Sequence, residues 1–394
     1  MMRTNAQLVN HIHFSRSYTR KIMNKTLTKI AVTGASTVLG ATAALSLSIP
    51  AQAALLGPAA SCNVLVFGDM NAKNTDAEGS VCIGGNAKLE PFTVHSDVSN
   101  PASQLDSLVV GGNLTYGNSE IKLGNVFVGG NASFSNSTIS KGNAVVHGNA
   151  SFTNSTIKEG DAVVKGDAEF TNSTLEQGDA IVNGEVTFNN DPTLNGDIIE
   201  GQDVEIPDLP INFGEAEQFY KNYSAYLGGF TDADNTSTLK IFNFTTSGLA
   251  DAIAQGLNLT FDSNSTVLVN VTGSELNLTG GEIKLNDDPN DTYANRVILN
   301  LPNVTKLSTS GFSWNGSVLA PMAHYDFNNG HADGQVIVAS LSGTGEFHNV
   351  PFDGNLPDPE PVPEPLTILG SGMALGFGTF FKRQQSKKQK NAKQ

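Results

Sequence analysis

The stretch from Leu108 to Asp197 says one thing five times, with copies starting at Leu108, Val126, Ala144, Ala162 and Ala180, each 18 residues after the last. Within the copies the same residue types return at the same offsets. Val110, Val128, Val146, Val164 and Val182 form one column, and Leu114, Ala132, Ala150, Ala168 and Val186 a second. Tyr116, Phe134, Phe152, Phe170 and Phe188 form a third. A fourth, Ile121, Ile139, Ile157 and Leu175, is broken in the last copy where "NNDPTL" intrudes. Between the columns, Gly-Asn, Asn-Ser and Gly-Asp pairs recur about six residues apart, and Gly and Asn tolerate the positive φ of tight turns. Six residues per side and three sides per lap describe an all-β fold, a parallel β-helix or β-solenoid of about 18 residues per turn.

The reason is energetic. One lap of about 18 residues cannot bury its own apolar face, whereas laps stacked about 4.8 Å apart pair every backbone edge and close a continuous core. The aromatic column is therefore core. Further laps flank the five: "VLVFGDMNA" (Val64 to Ala72) and "VCIGGNAKL" (Val81 to Leu89) repeat the theme, and "NGSVLA" (Asn315 to Ala320) matches "DGQVIV" (Asp333 to Val338) at a spacing of 18. The solenoid is expected to resume near Leu239 and run to Phe352.

One segment breaks the pattern. Residues 214–227 place Ala216, Phe219, Tyr223, Tyr226 and Leu227 at helical spacing, with Gly228 and Gly229 as a stop. If Ala144 and Val146 point inward, then Val145 points outward, as do Val109, Phe127, Val163 and Ile181. That apolar stripe needs a cover. The expectation is one α-helix packed along the side of the solenoid, lying on the stripe.

Glycine is abundant (40) and charge sparse (15%), which suits turn-rich β structure. All 38 acidic residues lie between Ala54 and Phe381, where only 11 of the 23 Lys and Arg accompany them. Such a body repels nucleic acid, whose phosphates need Lys and Arg. Either acidity keeps the protein soluble or its partners are cationic.

The two ends read as addresses. Lys25 to Ala53 has a basic start (Lys25, Lys29), an apolar middle (Ile30 to Ile49) and "AQA" before Ala54, the anatomy of a secretory signal peptide. Residues 1–53 are thus expected to be removed, by cleavage after Ala53. Met23 directly precedes this segment, so Met1 and Met23 are both open as the start, and residues 1–22 are a candidate upstream extension. Toward the C-terminus, residues 354–365 form a stiff proline-rich linker that includes "PDPEPVPEP". Leu366 to Phe381 follow, mostly apolar, then the basic tail "KRQQSKKQKNAKQ". The basic tail stays cytoplasmic, and this apolar segment is barely long enough for a bilayer.

Together residues 363–394 resemble the bacterial PEP-CTERM sorting signal, with Pro363, Glu364 and Pro365 as its motif. The resemblance implies processing by an exosortase-type enzyme and delivery to the envelope surface, after passage through a membrane-anchored stage. A plain C-terminal membrane anchor is the alternative. Both addresses imply an oxidising compartment, so Cys62 and Cys82, about one lap apart, are candidates for a disulfide, with two buried thiols as the alternative.

"NVLVFGDMNAKNTDAEGSVCIGGNA" (Asn63 to Ala87) and "NGSVLAPMAHYDFNNGHADGQVIVASLSGTGEFHNVPF" (Asn315 to Phe352) resemble the two ends of the choice-of-anchor A domain. The resemblance spans most of residues 54–353. It implies a surface or matrix protein of adhesive type and carries no catalytic residues. A helix interrupting a β-solenoid also resembles ice-binding solenoid domains, which are commonly right-handed, and right-handed winding is expected on that analogy.

The densest group of reactive side chains is His324, Asp326, His331, Asp333, Glu346 and His348. Three imidazoles and three carboxylates fall within 25 residues, and stacking can bring His331 near His348. Turn residues facing water, or a metal or glycan contact, are the two readings that compete. No nucleophile elbow, phosphate loop or HExxH string occurs, so neither catalysis nor a cofactor is expected.

Gly-Asp pairs at Asp161, Asp167 and Asp179 resemble a calcium-toxin repeat only superficially, because that repeat is nine residues long and here the period is 18. Ser137/Thr138, Ser155/Thr156 and Ser173/Thr174 offer three rungs of hydroxyls for ice, but the adjoining column Thr115, Ser133, Ser151, Glu169, Thr187 is interrupted by charge. The expectation is an exported structural or adhesive surface protein, with polysaccharide or surface glycans as partners. A β-helical polysaccharide-acting enzyme and an ice-binding protein are the alternatives.

Overall fold

The structure, a computed structural model, describes residues 57–59, 61–97, 106–290 and 292–358. The export segment expected within 1–53, the motif Pro363, Glu364 and Pro365, and the apolar and basic tail lie outside the described residues. Among the described residues no helix is long and apolar enough to cross a membrane.

Short parallel strands stack on three sides of a coil. On the first side Leu108, Val126, Ala144, Ala162 and Ala180 stand beside one another in register. On the second, Tyr116, Phe134, Phe152, Phe170 and Phe188 do so. On the third, Ile121, Ile139, Ile157 and Leu175 are aligned. Like sits on like. The rings of Phe134 and Phe152 are 5.0 Å apart at an angle of 3°, and those of Phe152 and Phe170 are 5.0 Å apart at 7°. The column that "NNDPTL" interrupts is mended by Leu194, which pairs with Leu175. Asn190 and Asp191 absorb the extra residue by both taking positive φ, 55° and 51°.

The order of laps is not the order of the chain. Val64 pairs on one edge with Val81, one lap onward, and on the other with Val336, near the opposite end of the sequence. The N-terminal laps therefore start in the middle of the solenoid and run to one end, at Ile198–Glu200. The chain then returns past every lap to the far end. From Leu239–Thr245 it winds back to the middle through Thr266–Thr272, Val297–Asn300, Ser317–Asn328 and Val336–Gly343. Both halves advance along the axis in the same direction and meet at a seam.

The returning stretch contains helix α1, Phe213–Leu227. Asn212 caps it by accepting from the Glu215 N–H at 3.3 Å, and Lys221 reaches Glu217 four residues back at 2.6 Å. The buried face is Ala216, Tyr220, Tyr223, Ser224 and Leu227. Tyr220, absent from the expected set, is wholly buried, while Phe219 and Tyr226 are only partly so.

The helix does run along the side, but the expectation that it lies on the stripe Val109, Phe127, Val145, Val163 and Ile181 is corrected. Those residues are buried beneath the extended segment 204–211. There Val204 exchanges hydrogen bonds with the Asn183 side chain and the Pro207 carbonyl meets His147 Nε2 at 2.9 Å. Helix α1 packs on the strand Ser317–Asn328, where the stripe continues through Cys82, Leu65, Ile337 and Leu319. Its Ser224 hydroxyl donates to Asn300 Oδ1 at 2.5 Å. The return path must traverse the whole flank, and fifteen helical residues cover only part of it.

A second helix, α2, Thr246–Ala254, was not anticipated. Its nine residues are too few to show a period. It takes the place of a strand in the outermost lap, covers the edge strand Glu275–Glu282 and buries Leu249 in the core. Among the described residues the opposite end has no such cover, and there Phe188 and Ile198 are 44% and 47% exposed.

Cys62 and Cys82 form a disulfide near the seam. Beside them both ends of the described chain lie against α1. The Ala59 N–H donates to Tyr220 Oη, and the Tyr223 and Tyr226 hydroxyls donate to the carbonyls of Pro357 and Asp358.

Candidate functional site

Helix α1 and the extended segment 204–211 occupy the first side; among the described residues the second and third sides are left to water. On the second side the strands alternate strictly: Ala132 and Phe134 go into the core, and Ser133 between them faces out. Stacking turns that outward position into a column. It runs Asn277, Ser308, Asp326, Ser342, Asn71, Lys88, Thr115, Ser133, Ser151, Glu169, Thr187, each beside the next. At about 4.8 Å per lap this is a continuous polar strip roughly 48 Å long. Three of its members are charged, Asp326, Lys88 and Glu169.

Two shallow hollows open on this flank. One, of about 350 Å³, lies between the strip and the turn residues Asn131, Asn149 and Asp167. The other, of about 450 Å³, sits at the seam between Asn71, Lys88, Glu90 and Ser342. Lys88 and Glu90 are 3.9 Å apart there and answer each other, while Lys73 adds a second cation to the lining.

The turn residues are occupied in holding laps together. Asn131 Oδ1 accepts the Asn149 N–H at 2.8 Å, and Asn149 Oδ1 accepts the Asp167 N–H at 2.9 Å. Asp161, Asp167 and Asp179 do likewise, accepting from the N–H groups of Asp179, Glu185 and Asp197 at 2.8, 3.0 and 2.8 Å. Their carboxylates are lap-to-lap staples, which explains Gly-Asp without calcium. A second ladder, Asn118, Asn136, Asn154 and Asn172, passes side-chain amide bonds along the axis from residues in the left-handed conformation.

The expected double row of hydroxyls is corrected to a single one. Ser137, Ser155 and Ser173 are buried, and each donates its hydroxyl to the carbonyl two residues back, of Ser135, Thr153 and Thr171. Only Thr138, Thr156 and Thr174 reach the surface, half-buried, continued by Thr193.

The structure divides the six-residue histidine and carboxylate group in two. His324 and Asp326 lie on the second side, where His324 Nε2 is 3.3 Å from Asp326 Oδ1 and Nδ1 is 2.7 Å from Ser340 Oγ. His331, Asp333, Glu346 and His348 lie on the third. Their strands pair His331 with Glu346 and Asp333 with His348. The rings of His331 and His348 stack at 4.9 Å. Asp333 Oδ1 meets His348 Nδ1 at 2.5 Å, and Glu346 Oε2 is 3.8 Å from its Nε2.

The hydrogen bond that His348 donates to Asp333 holds the His348 pKa above its ordinary 6.5, against partial burial, and the charges of Asp333, Glu78 and Glu346 add to the rise. Sequence reasoning missed Glu78 because it becomes a neighbour only when the first lap closes on the last. It also missed Ser313, whose hydroxyl is 3.2 Å from His331 Nδ1; its spacing of 18 from His331 was the available signal.

The chain matches a protein family described as an ice-binding-like adhesive domain over residues 55–139 and 115–349. The two matches overlap within the repeats, where every lap offers the same register, and together they span well over half of the sequence. No curated protein and no solved structure matches it.

Proposed function

Since the chain belongs to the family of ice-binding-like adhesive domains, we propose that it is an exported surface or matrix protein that adheres through the polar flank of its solenoid. The supporting observation is the eleven-residue outward column, continuous in register and mostly uncharged. Such a strip offers hydroxyls and amides at a regular spacing, suited to hydrogen bonding a polysaccharide or surface glycan over many weak contacts. This reading is non-enzymatic and involves no cofactor. The enzyme alternative needs carboxylates converging in a cleft, and ice binding needs a broad, uncharged hydroxyl array, which Lys88, Glu169 and Asp326 interrupt. The acidic body disfavours nucleic acid.

Export and sorting are inferred from sequence. Residues 25–53 read as the signal peptide, Pro363, Glu364 and Pro365 as a sorting motif for an exosortase-type enzyme, and residues 366–381 as a membrane segment held before processing. The choice-of-anchor A resemblance fits a domain that combines with such tails. Pro357 and Asp358 are held by α1, so an anchor downstream would tether the solenoid through its covered side and leave the polar flank free.

The test is glycan-array binding by the purified protein, with the flank variant Ser133→Arg/Ser151→Arg as control. Selective binding that the variant loses supports the reading; no glycan binding, together with ice recrystallisation inhibition, replaces it with the ice-binding alternative. Deleting residues 359–394 should shift the protein from cells to medium.

A further inference from the structure

On the third side, the strands His331–Asp333 and Glu346–His348 present a two-by-two grid. Ala332 and Phe347 point into the core and are 0% and 1% exposed, so the residues flanking them all point out. Register places the two imidazoles on one diagonal and the two carboxylates on the other. Donor atoms of His331, Asp333 and His348 all lie within 4.8 Å of one another.

We propose that this grid binds one divalent transition-metal ion of the zinc type, through His331, Asp333 and His348, with Glu346 able to supply a fourth ligand.

Donor chemistry favours that class. Two imidazoles with carboxylate suit zinc, cobalt, nickel or copper, whereas calcium and magnesium take oxygen ligands. Bonds of about 2.0 to 2.2 Å around a tetrahedral ion place donors roughly 3.3 Å apart. The side chains are therefore within a small rotation of the required geometry, and their partial exposure, 36% for His331 and 33% for His348, permits that rotation.

Orientation is half set already. Ser313 Oγ engages His331 Nδ1 at 3.2 Å and leaves Nε2 directed at Asp333 Oδ2, 3.6 Å away. Partners of this kind commonly fix metal-binding imidazoles.

Binding replaces a proton with the ion. Where His348 is protonated it releases one H⁺ to solvent as its lone pair takes the metal, and Asp333 exchanges a hydrogen bond for a metal bond.

Location gives the ion a structural consequence. Strand Glu346–His348 is the last of the coil and pairs with Thr75–Ala77 of the first lap, through Ala77 and Phe347, while the Asn349 N–H donates to Glu78 Oε2 at 2.9 Å. An ion shared by Asp333 and His348 would hold the final lap to its predecessor at the edge of the seam. A ligand that binds only the folded state raises its stability.

The experiment is calorimetric titration of the full-length protein with zinc ion, alongside His331→Gln, His348→Gln and, on the other flank, His324→Gln. The expected result is one site per chain, weakened by about tenfold or more in the first two variants, unchanged in the third, and not displaced by excess calcium. In parallel, zinc added to the wild-type protein should shift the ring resonances of His331 and His348 and leave those of His95 and His147 in place, a measurement that needs no variant to fold. Absence of zinc binding, binding indifferent to both substitutions, or shifts confined to other histidines would overturn the proposal.

Discussion

Val64, in the first strand of the coil, lies directly beside Val336, in the last long one. The consequence is a single uninterrupted ladder assembled from two pieces of chain, in which neither end of the described residues is an end of the solenoid. Backbone edges that would otherwise be exposed at the first and last laps satisfy each other. The two true ends are treated differently, one covered by α2 and the other left with Phe188 and Ile198 at the surface.

The seam depends on Asn63. Its buried side-chain amide donates to the carbonyls of Gly334 and His348 at 3.2 and 3.0 Å, and its oxygen accepts the Gly79 N–H at 3.3 Å. It thus bonds both halves at once. With about 1 kcal/mol net per buried hydrogen bond and stranded partners left behind, Asn63→Ala should lose about 2 to 4 kcal/mol of stability in urea unfolding. Asn113→Ala, at an exposed turn, should lose less than about 1 kcal/mol.

Position along the aromatic file should matter as much as residue type. Phe152 is stacked on both faces by Phe134 and Phe170 and is 2% exposed, whereas among the described residues Phe188 has a ring on one face alone, that of Phe170 at 6.1 Å. Truncating Phe152 to alanine opens a cavity between laps and should cost about 3 to 5 kcal/mol. Phe188→Ala leaves its void facing water and should cost about 1 kcal/mol, read from the shift in denaturant midpoint.

How much of this was legible depended on repetition. The columns through Phe134, Phe152 and Phe170 were readable because each lap restates the same inward residues, and the stripe's need for a cover followed from Val145 and its neighbours. Lap order was not readable, because every rung of such a ladder offers the same backbone bonds and nothing in Val64 says whether its neighbour is Val81 alone or Val336 as well. The same blindness hid Glu78 from the histidine group and put α1 over the wrong half of the stripe. Ser137 was misread for a different reason. At a tight turn a serine hydroxyl can satisfy a buried carbonyl as readily as it can face water, and local sequence does not distinguish the two.

Reduction of Cys62–Cys82 should weaken the fold without dissolving it. The bridge closes a short loop, with a sequence separation of 20, for which constraint of the unfolded chain is worth about 3 kcal/mol. Since Leu65 and Cys82 already pair across the ladder, the laps should persist. Thermal melts with and without reductant should show a lower midpoint and an unchanged far-ultraviolet spectrum. A collapse of β structure on reduction would mean that the bridge, and not the stacking, holds the first lap.

Two histidines should titrate on opposite sides of the ordinary value of 6.5. His348 is held above it by Asp333, and His95 is pushed below it by burial, with Asp97 opposing. NMR titration of the ring protons would separate them. The signs for stability follow. A raised folded pKa means that His348 contributes fully below about pH 6.5 and that its contribution is lost as pH rises through the folded value; a lowered one means that His95 contributes above about pH 6.5 and loses that contribution as pH falls through its own. The stability difference between wild type and His348→Gln should therefore shrink as pH rises above about 6.5. A difference that stays constant over that range would show that the Asp333 contact carries no preference for the charged imidazole, and that the grid on the third side is held by packing alone.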